Sequence, residues 1–327
     1  MNSWGRLFRV TLFGESHGPH LGVTLDGVPP GIEICTEDFV SDLNRRKSGA
    51  EGTTPRRESD EPRLVSGCFE GKTTGAPLTI LFDNDDTRSA DYLRIQGRMR
   101  PGHADFTAEK KFFGFQDYRG GGHFSGRLTL LLTAAGVVAK RMIAPVVVNA
   151  ELQEIGGEKD LEKGILKAKQ AGDSIGGIVC CTANHLPVGW GEPFFDSVES
   201  TISHIVFSIP AVKGIAFGSG FAAARMFGSA HNDVFINATG QTQTNHAGGV
   251  NGGITNGNPL QFEVAFKPPS SIPKTQETFN FKSGQIENLE IGGRHDLCLA
   301  LRAVVVVEAV TAIALADLFL LRKKDFY

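Results

Sequence analysis

Three short segments set ionisable side chains between small and turn-forming residues: Phe13-Gly14-Glu15-Ser16-His17-Gly18, Arg100-Pro101-Gly102-His103-Ala104-Asp105 and Gly292-Gly293-Arg294-His295-Asp296. Imidazoles titrate near neutrality and a neighbouring carboxylate can accept a proton, so three such loops meeting in one cleft would supply acid–base chemistry. Taken singly, each also reads as a solvated turn, and Asp105 ahead of Phe106 could be a plain helix cap. Arginines lie beside them, at Arg45, Arg46, Arg56, Arg57, Arg100, Arg119, Arg127 and Arg294. Guanidinium groups offer paired donors that match phosphate and carboxylate. Arginines among histidine loops, in a chain of net charge −3, point to a small polyanionic substrate. Arg45-Arg46-Lys47 could equally be the polar end of a helix running through residues 40–43.

The most distinctive stretch is Tyr118-Arg119-Gly120-Gly121-Gly122-His123-Phe124-Ser125-Gly126-Arg127. Three glycines before a long helix would expose backbone N–H groups and the helix N-terminus to an anion such as a cofactor phosphate. Lys267-Pro268-Pro269-Ser270-Ser271 adds a cation and hydroxyls on a loop leaving a strand. Other motifs fail on spacing. Gly71-Lys72-Thr73 resembles the end of a phosphate-binding loop, but Gly67 is one residue too close and Pro77 precedes a strand where a helix is required. Gly218-Ser219-Gly220 opens a loose dinucleotide pattern that Gly228 cuts short. His17-Gly18-Pro19-His20 lacks the flanking ligands of a metal site, so no metal is expected.

The elements that must position these loops follow from composition and pattern. The chain has 327 residues, 41% hydrophobic and 21% charged, with 33 basic against 36 acidic residues. No global field attracts nucleic acid or an anionic membrane. Forty glycines, about one residue in eight, exceed the roughly 7% average and show no collagen period. Five cysteines without C-x-x-C spacing argue against a disulfide framework or zinc ribbon and for a reducing, cytoplasmic setting. The first nine residues lack the apolar core of a signal peptide, and the apolar run at 299–321 is broken by Arg302, Glu308 and Asp317. Residues 7–13, 78–82, 177–182, 234–238 and 260–266 read as strands. Helices are expected at 126–143, 161–171 and 300–323. Strand-rich segments with few long helices favour an α+β fold. The frame G-x-x-x-G-x-T-x-G-x-P-L occurs at Gly67 and again at Gly249, each time ahead of a strand, a histidine/acid loop and a long helix. This predicts two pseudo-equivalent halves; common turn chemistry arising twice is the alternative.

Taken in order, the motifs closely resemble the chorismate synthase family nearly end to end. They include Gly14-Glu15-Ser16-His17-Gly18, Asp26-Gly27-Val28-Pro29-Pro30-Gly31, Arg45-Arg46, Arg100-Pro101-Gly102-His103-Ala104-Asp105 and Arg119-Gly120-Gly121-Gly122. They continue through Ala211-Val212-Lys213-Gly214, His246-Ala247-Gly248-Gly249, the Lys267–Ser271 loop and Gly293-Arg294-His295-Asp296. The resemblance implies one domain over 1–327 with a helical layer between two antiparallel sheets, assembled as a homotetramer. It implies an anti 1,4-elimination of phosphate from 5-enolpyruvylshikimate 3-phosphate that needs reduced FMN. By position, His17 would protonate the leaving phosphate, His103 would serve the flavin as proton donor, and Asp296 would assist proton removal. Arg45, Arg46 and Arg127 would grip the substrate. The flavin contacts would be His123, Phe124, Ser125, Pro210, Ala211, Gly252, Lys267, Pro268, Pro269, Ser270, Ser271 and Arg294. Many members read Arg-Ser-Ser-Ala-Arg-Glu where this chain has His123-Phe124-Ser125-Gly126-Arg127-Leu128, the largest local departure. No nicotinamide-binding unit is legible, which favours an external reductant over NADPH used by the chain itself. The competing readings are a non-catalytic flavin-binding paralogue and a phosphate-ester hydrolase, the latter needing a nucleophile or metal.

Overall fold

The structure, a computed structural model, describes residues 2–49, 51–54, 58–84, 98–292 and 296–324. The first half runs β1 (Ser3–Trp4), β2 (Arg9–Gly14), β3 (His20–Asp26), α1 (Val40–Arg46), β4 (Arg63–Ser66) and the hairpin β5 (Cys68–Phe69) and β6 (Lys72–Thr73). It closes with β7 (Leu78–Asp83), α2 (Asp105–Lys111) and α3 (Thr129–Met142). The second half runs β8 (Val147–Ile155), α4 (Leu161–Ala171), β9 (Gly177–Asn184), α5 (Val198–Val206), β10 (Val212–Phe217) and the single turn α6 (Gly228–His231). Then come the hairpin β11 (Val250–Asn251) and β12 (Ile254–Thr255), β13 (Leu260–Phe266), the hairpin β14 (Gln276–Asn280) and β15 (Gln285–Leu289), and α7 (Ala300–Lys324).

Two antiparallel sheets enclose the helices, with strand orders β1-β2-β3-β7-β4 and β8-β9-β13-β10. Alternate residues of β3 and β7 point inward (Leu21, Val23 and Leu25; Leu78, Ile80 and Phe82) and are all buried, as period-2 patterning requires. Helix α3 packs on β3, α7 packs on β8 and β9, and the two helices pack on each other. Gly136 makes that last contact close, since a Cβ there would collide with Ala309. Residues 305–318 of α7 are buried on all sides, which marks a core helix. That helix is long and apolar enough to cross a membrane by composition, yet most of it lies inside the sandwich.

The repeated glycine frame proves to be a repeated structure. In each half a short hairpin precedes the strand that enters the sheet centre, and β2-β3-β7-β4 matches β8-β9-β13-β10 in order. Thr73 Oγ1 donates to the Pro29 carbonyl at 2.6 Å and accepts the Ile32 N–H at 2.9 Å. Thr255 Oγ1 makes the same pair with Pro187 O at 2.7 Å and Trp190 N–H at 2.9 Å. The halves therefore share topology and its local fastenings.

Two expectations need correction. Residues 234–238 form no strand: a lone bridge joins Phe235 to Thr242, Val234, Phe235 and Ile236 are exposed, and among the described residues no sheet takes them in. Alternation predicted a half-buried strand, but no neighbouring strand supplies the second side. The helix expected over 126–143 divides into a 3₁₀ turn, Gly126–Leu128, capped by Ser125, and then α3. The three glycines thus stand ahead of the 3₁₀ turn and not directly at the N-terminus of α3.

Candidate active site

A cavity of about 1450 Å³ opens beside the first turns of α3 and α7, and also reaches the starts of β10 and of the loop after β13. Its wall includes His17, Arg46, His103, His123, Phe124, Ser125, Arg127, Pro210, Ala211, Lys267, Pro269, Ser270, Ser271 and Asp296. Most residues singled out from the sequence therefore meet in one place.

His17 sits on the tight loop between β2 and β3. Asn84 fastens that loop, its Nδ2 donating to Ser16 O at 2.7 Å and Gly18 O at 2.9 Å. The glycine run supports the ring. Gly120 lies at φ +60°, and a Cβ there would collide with Cε1 and Nδ1 of His17 and stand 2.7 Å from Ser16 Oγ. Only glycine satisfies both the left-handed backbone and this approach. His123 Nδ1 donates to Gly14 O at 2.9 Å, tying the same loop to the glycine run.

His103 precedes α2, its Nδ1 2.6 Å from Asp105 Oδ1. Arg100 clamps that carboxylate with Nε at 2.8 Å and Nη2 at 2.7 Å. Burial acts to raise Asp105, but hydrogen bonds from Arg100 and His103 outweigh it and hold the group well below the usual carboxylate range. Lys267 and Ser270 both donate to the Gly102 carbonyl, at 3.2 Å and 2.7 Å, so the loop after β13 holds the His103 loop in place. Burial, then the nearby Lys213, lowers the Lys267 ammonium.

Two arginines on the cavity wall, Arg46 and Arg127, share one acid. Both are buried, and Asp60 accepts from each: Arg46 Nη2 at 2.8 Å, and Arg127 Nη1. Nitrogens Nε and Nη1 of Arg46 and Nη2 of Arg127 are buried without a hydrogen-bond partner in the protein. Buried donors are rarely left so, which marks a place prepared for an anion. Burial draws the Arg46 guanidinium down to about 10; Asp60 opposes the fall, while Arg302 and Arg127 add to it. Asp296 accepts the Thr54 N–H at 2.8 Å and pairs with Arg302 at 3.1 Å, which turns its carboxylate toward the start of α7.

Three expected residues stand elsewhere. Arg45 is committed to Glu308, with Nη1 and Nη2 at 2.7 Å and 2.6 Å, and does not line the cavity. Consecutive residues of a helix point about 100° apart, so α1 can send only one of the two arginines inward. Gly252 lies in the turn of the β11–β12 hairpin, off the cavity wall, because Thr255 ties that hairpin to Pro187 and Trp190. Pro268 turns away beside Gly176. Arg294 falls outside the described residues. Asp105 is no N-cap; it is the first residue of α2, following Ala104. Asp60 and Asn84, which organise the site, carried no signal of spacing, and only their tertiary partners reveal them.

A sandwich of two like halves, with imidazoles and buried guanidiniums facing one cavity, has the form of an enzyme site. Comparison with known proteins places it within that class. The chorismate synthase model matches residues 8–320. The chorismate synthase of Chitinophaga pinensis is 62% identical over 326 residues, covering 99% of this chain and 98% of that protein. That of Thermococcus gammatolerans is 44% identical over 348 residues, covering 98% of each. A crystal structure of a chorismate synthase matches with a TM-score of 0.74 at 25% identity, covering 98% of this chain and 93% of that one. The chain belongs to the chorismate synthase family, lyases of the shikimate route to aromatic compounds.

Proposed function

We propose that this chain converts 5-enolpyruvylshikimate 3-phosphate to chorismate by anti 1,4-elimination, with reduced FMN held in the same cavity. The observation that carries the reading is the pair Arg46 and Arg127, whose unpartnered buried nitrogens belong to residues lining the cavity with His17 and His103. The elimination breaks one C–O bond to phosphate and one C–H bond and forms a C=C bond, so it is redox-neutral overall. Arg46 and Arg127 bind and orient the anion. His17, backed by Gly120, protonates the departing phosphate. Asp296, oriented by Thr54 and Arg302, assists proton removal, and His103 holds a proton on the cavity wall.

The residues present fit a flavin mononucleotide. The cavity is large, its walls mix apolar side chains (Leu128, Ile209, Val212) with Ser125, Lys267, Ser270 and Ser271, and Phe124 offers an aromatic face. When bound, reduced FMN supplies electron density transiently for phosphate departure and an acceptor for the departing hydrogen. The same reading expects one domain, a homotetramer in the cytoplasm, and an external source of reductant.

An anaerobic assay with reduced FMN and the enolpyruvyl substrate tests this. Chorismate is expected. Flavin binding without chorismate would point to a non-catalytic paralogue, and phosphate release without flavin to a hydrolase.

A further inference from the structure

One carboxylate faces an imidazole of the site without having been assigned a part in the reaction. His103 Nδ1 lies 2.6 Å from Asp105 Oδ1. An imidazole nitrogen that close to an ionised carboxylate carries the hydrogen, which leaves the lone pair of the neutral ring on Nε2. The carboxylate cannot rotate away. Its Oδ2 accepts from Arg100 Nε at 2.8 Å and from the Arg100 backbone N–H at 3.1 Å, and its Oδ1 accepts from Arg100 Nη2 at 2.7 Å. Arg100 Nη2 also stands 3.1 Å from His103 Nδ1, where it could donate to a bare ring nitrogen, but the 2.6 Å approach of the Asp105 oxygen is shorter and requires a hydrogen between the two. On the far side of the ring, a Cβ on Gly121 would lie 3.4 Å from Nε2 and 3.3 Å from Cε1, so glycine leaves that nitrogen room.

We propose that Asp105 is a positioning residue: it holds His103 in the Nδ1–H tautomer, so that Nε2 is the nitrogen that takes up and releases the proton. The inference rests on His103 being the proton donor of the proposed reaction. Arg100 is part of the device, since it fixes the carboxylate plane and keeps Asp105 ionised. The arrangement orients an imidazole through its second nitrogen, as a carboxylate does in a catalytic triad.

The test reads tautomer and turnover separately. ¹⁵N NMR of histidine-labelled protein without flavin, with His103→Ala assigning the resonance, should show Nδ1–H on the neutral ring. Asp105→Ala should lose that preference and lower kcat by about 10²-fold with KM little changed. Asp105→Glu should recover part of both. An Nε2–H tautomer in the wild-type protein overturns the proposal, as does unchanged kcat in folded Asp105→Ala. If Asp105→Ala fails to fold, the wild-type tautomer decides alone. A wild-type chain that shows the Nδ1–H tautomer yet makes no chorismate upholds the positioning and strikes only at the proposed reaction.

Discussion

Asp60 Oδ2 accepts a hydrogen bond from Arg46 Nη2 at 2.8 Å, with both side chains shielded from solvent. The other oxygen of Asp60 serves Arg127. Asp60 between the two guanidiniums, with Glu58 3.8 Å from Arg127 Nε, lets both be buried while nitrogens of each remain as donors for an anion. Burial acts to raise Asp60, and the two arginines overcome it and lower the group.

Asp60→Asn should therefore weaken both affinity and fold. Removing one partner of a buried ionic cluster costs about 3 kcal/mol, and mispositioned guanidiniums should cut substrate affinity about tenfold or more. Calorimetric titration with substrate and urea unfolding check the two effects. Unchanged affinity would show that the arginines hold their places without the acid.

Gly120→Ala should spare most of the stability and remove most of the turnover. A left-handed alanine costs about 1–2 kcal/mol, a loss the whole fold can bear. The new Cβ must displace the His17 ring, and groups misplaced by 1 Å can lose about 10²-fold in rate. Thermal unfolding together with kcat measurement separates these, and a kcat near wild type would remove His17 from the proton path.

Arg45 and Arg46 should part company on substitution. Arg45→Ala breaks two charged hydrogen bonds to Glu308, which keeps Lys140 at 3.1 Å and the Ala150 N–H at 3.0 Å. A loss of about 1–3 kcal/mol of stability follows, with KM for the substrate unchanged. Arg46→Ala should raise KM strongly. A comparable KM rise for both variants would return Arg45 to the substrate.

Acid should destabilise the fold in a defined window. In Asp60, Asp105 and Glu308 burial works to raise the carboxyl, and in each the cationic partners prevail and lower it from ordinary values of 3.8, 3.8 and 4.5. Groups lowered on folding stabilise fully above their unfolded values, and that stabilisation fades as pH falls toward the folded ones. The melting temperature should therefore be level from about pH 5 to 8 and drop below about pH 4. The acid limb should be shallower in Asp60→Asn; an identical slope would mean that Asp60 titrates normally.

Much was legible before any fold was known. The loops at His17 and His103, the lysine–serine segment and the family they belong to are local patterns, because catalytic loops concentrate unusual residue types between turns. Helix α4 has the ends that its amphipathic pattern predicts, and the structure shows Asp160 capping it and Gly172 stopping it in the left-handed region. The strand read at 234–238 failed for the opposite reason: alternation describes one face of a strand, and pairing needs a neighbour that no local pattern reveals.

Residue types and their order thus determined the family, the loops that bring His17 and His103 to the cavity and the doubling of the chain into two like halves. Tertiary structure decided which of two adjacent arginines faces the cavity, which acid holds it beside Arg127, and that the glycine run serves as a shelf under two imidazoles. Arg45 and Arg46 are the same residue type one position apart, so their separation depends on helix rotation against α7. Asp60 and Asn84 act through partners up to 68 residues away along the chain, as Asn84 does with Ser16. Such contacts exist only once the two sheets close on the helical layer, because burial is what turns a charged side chain from a solvated surface group into an oriented one.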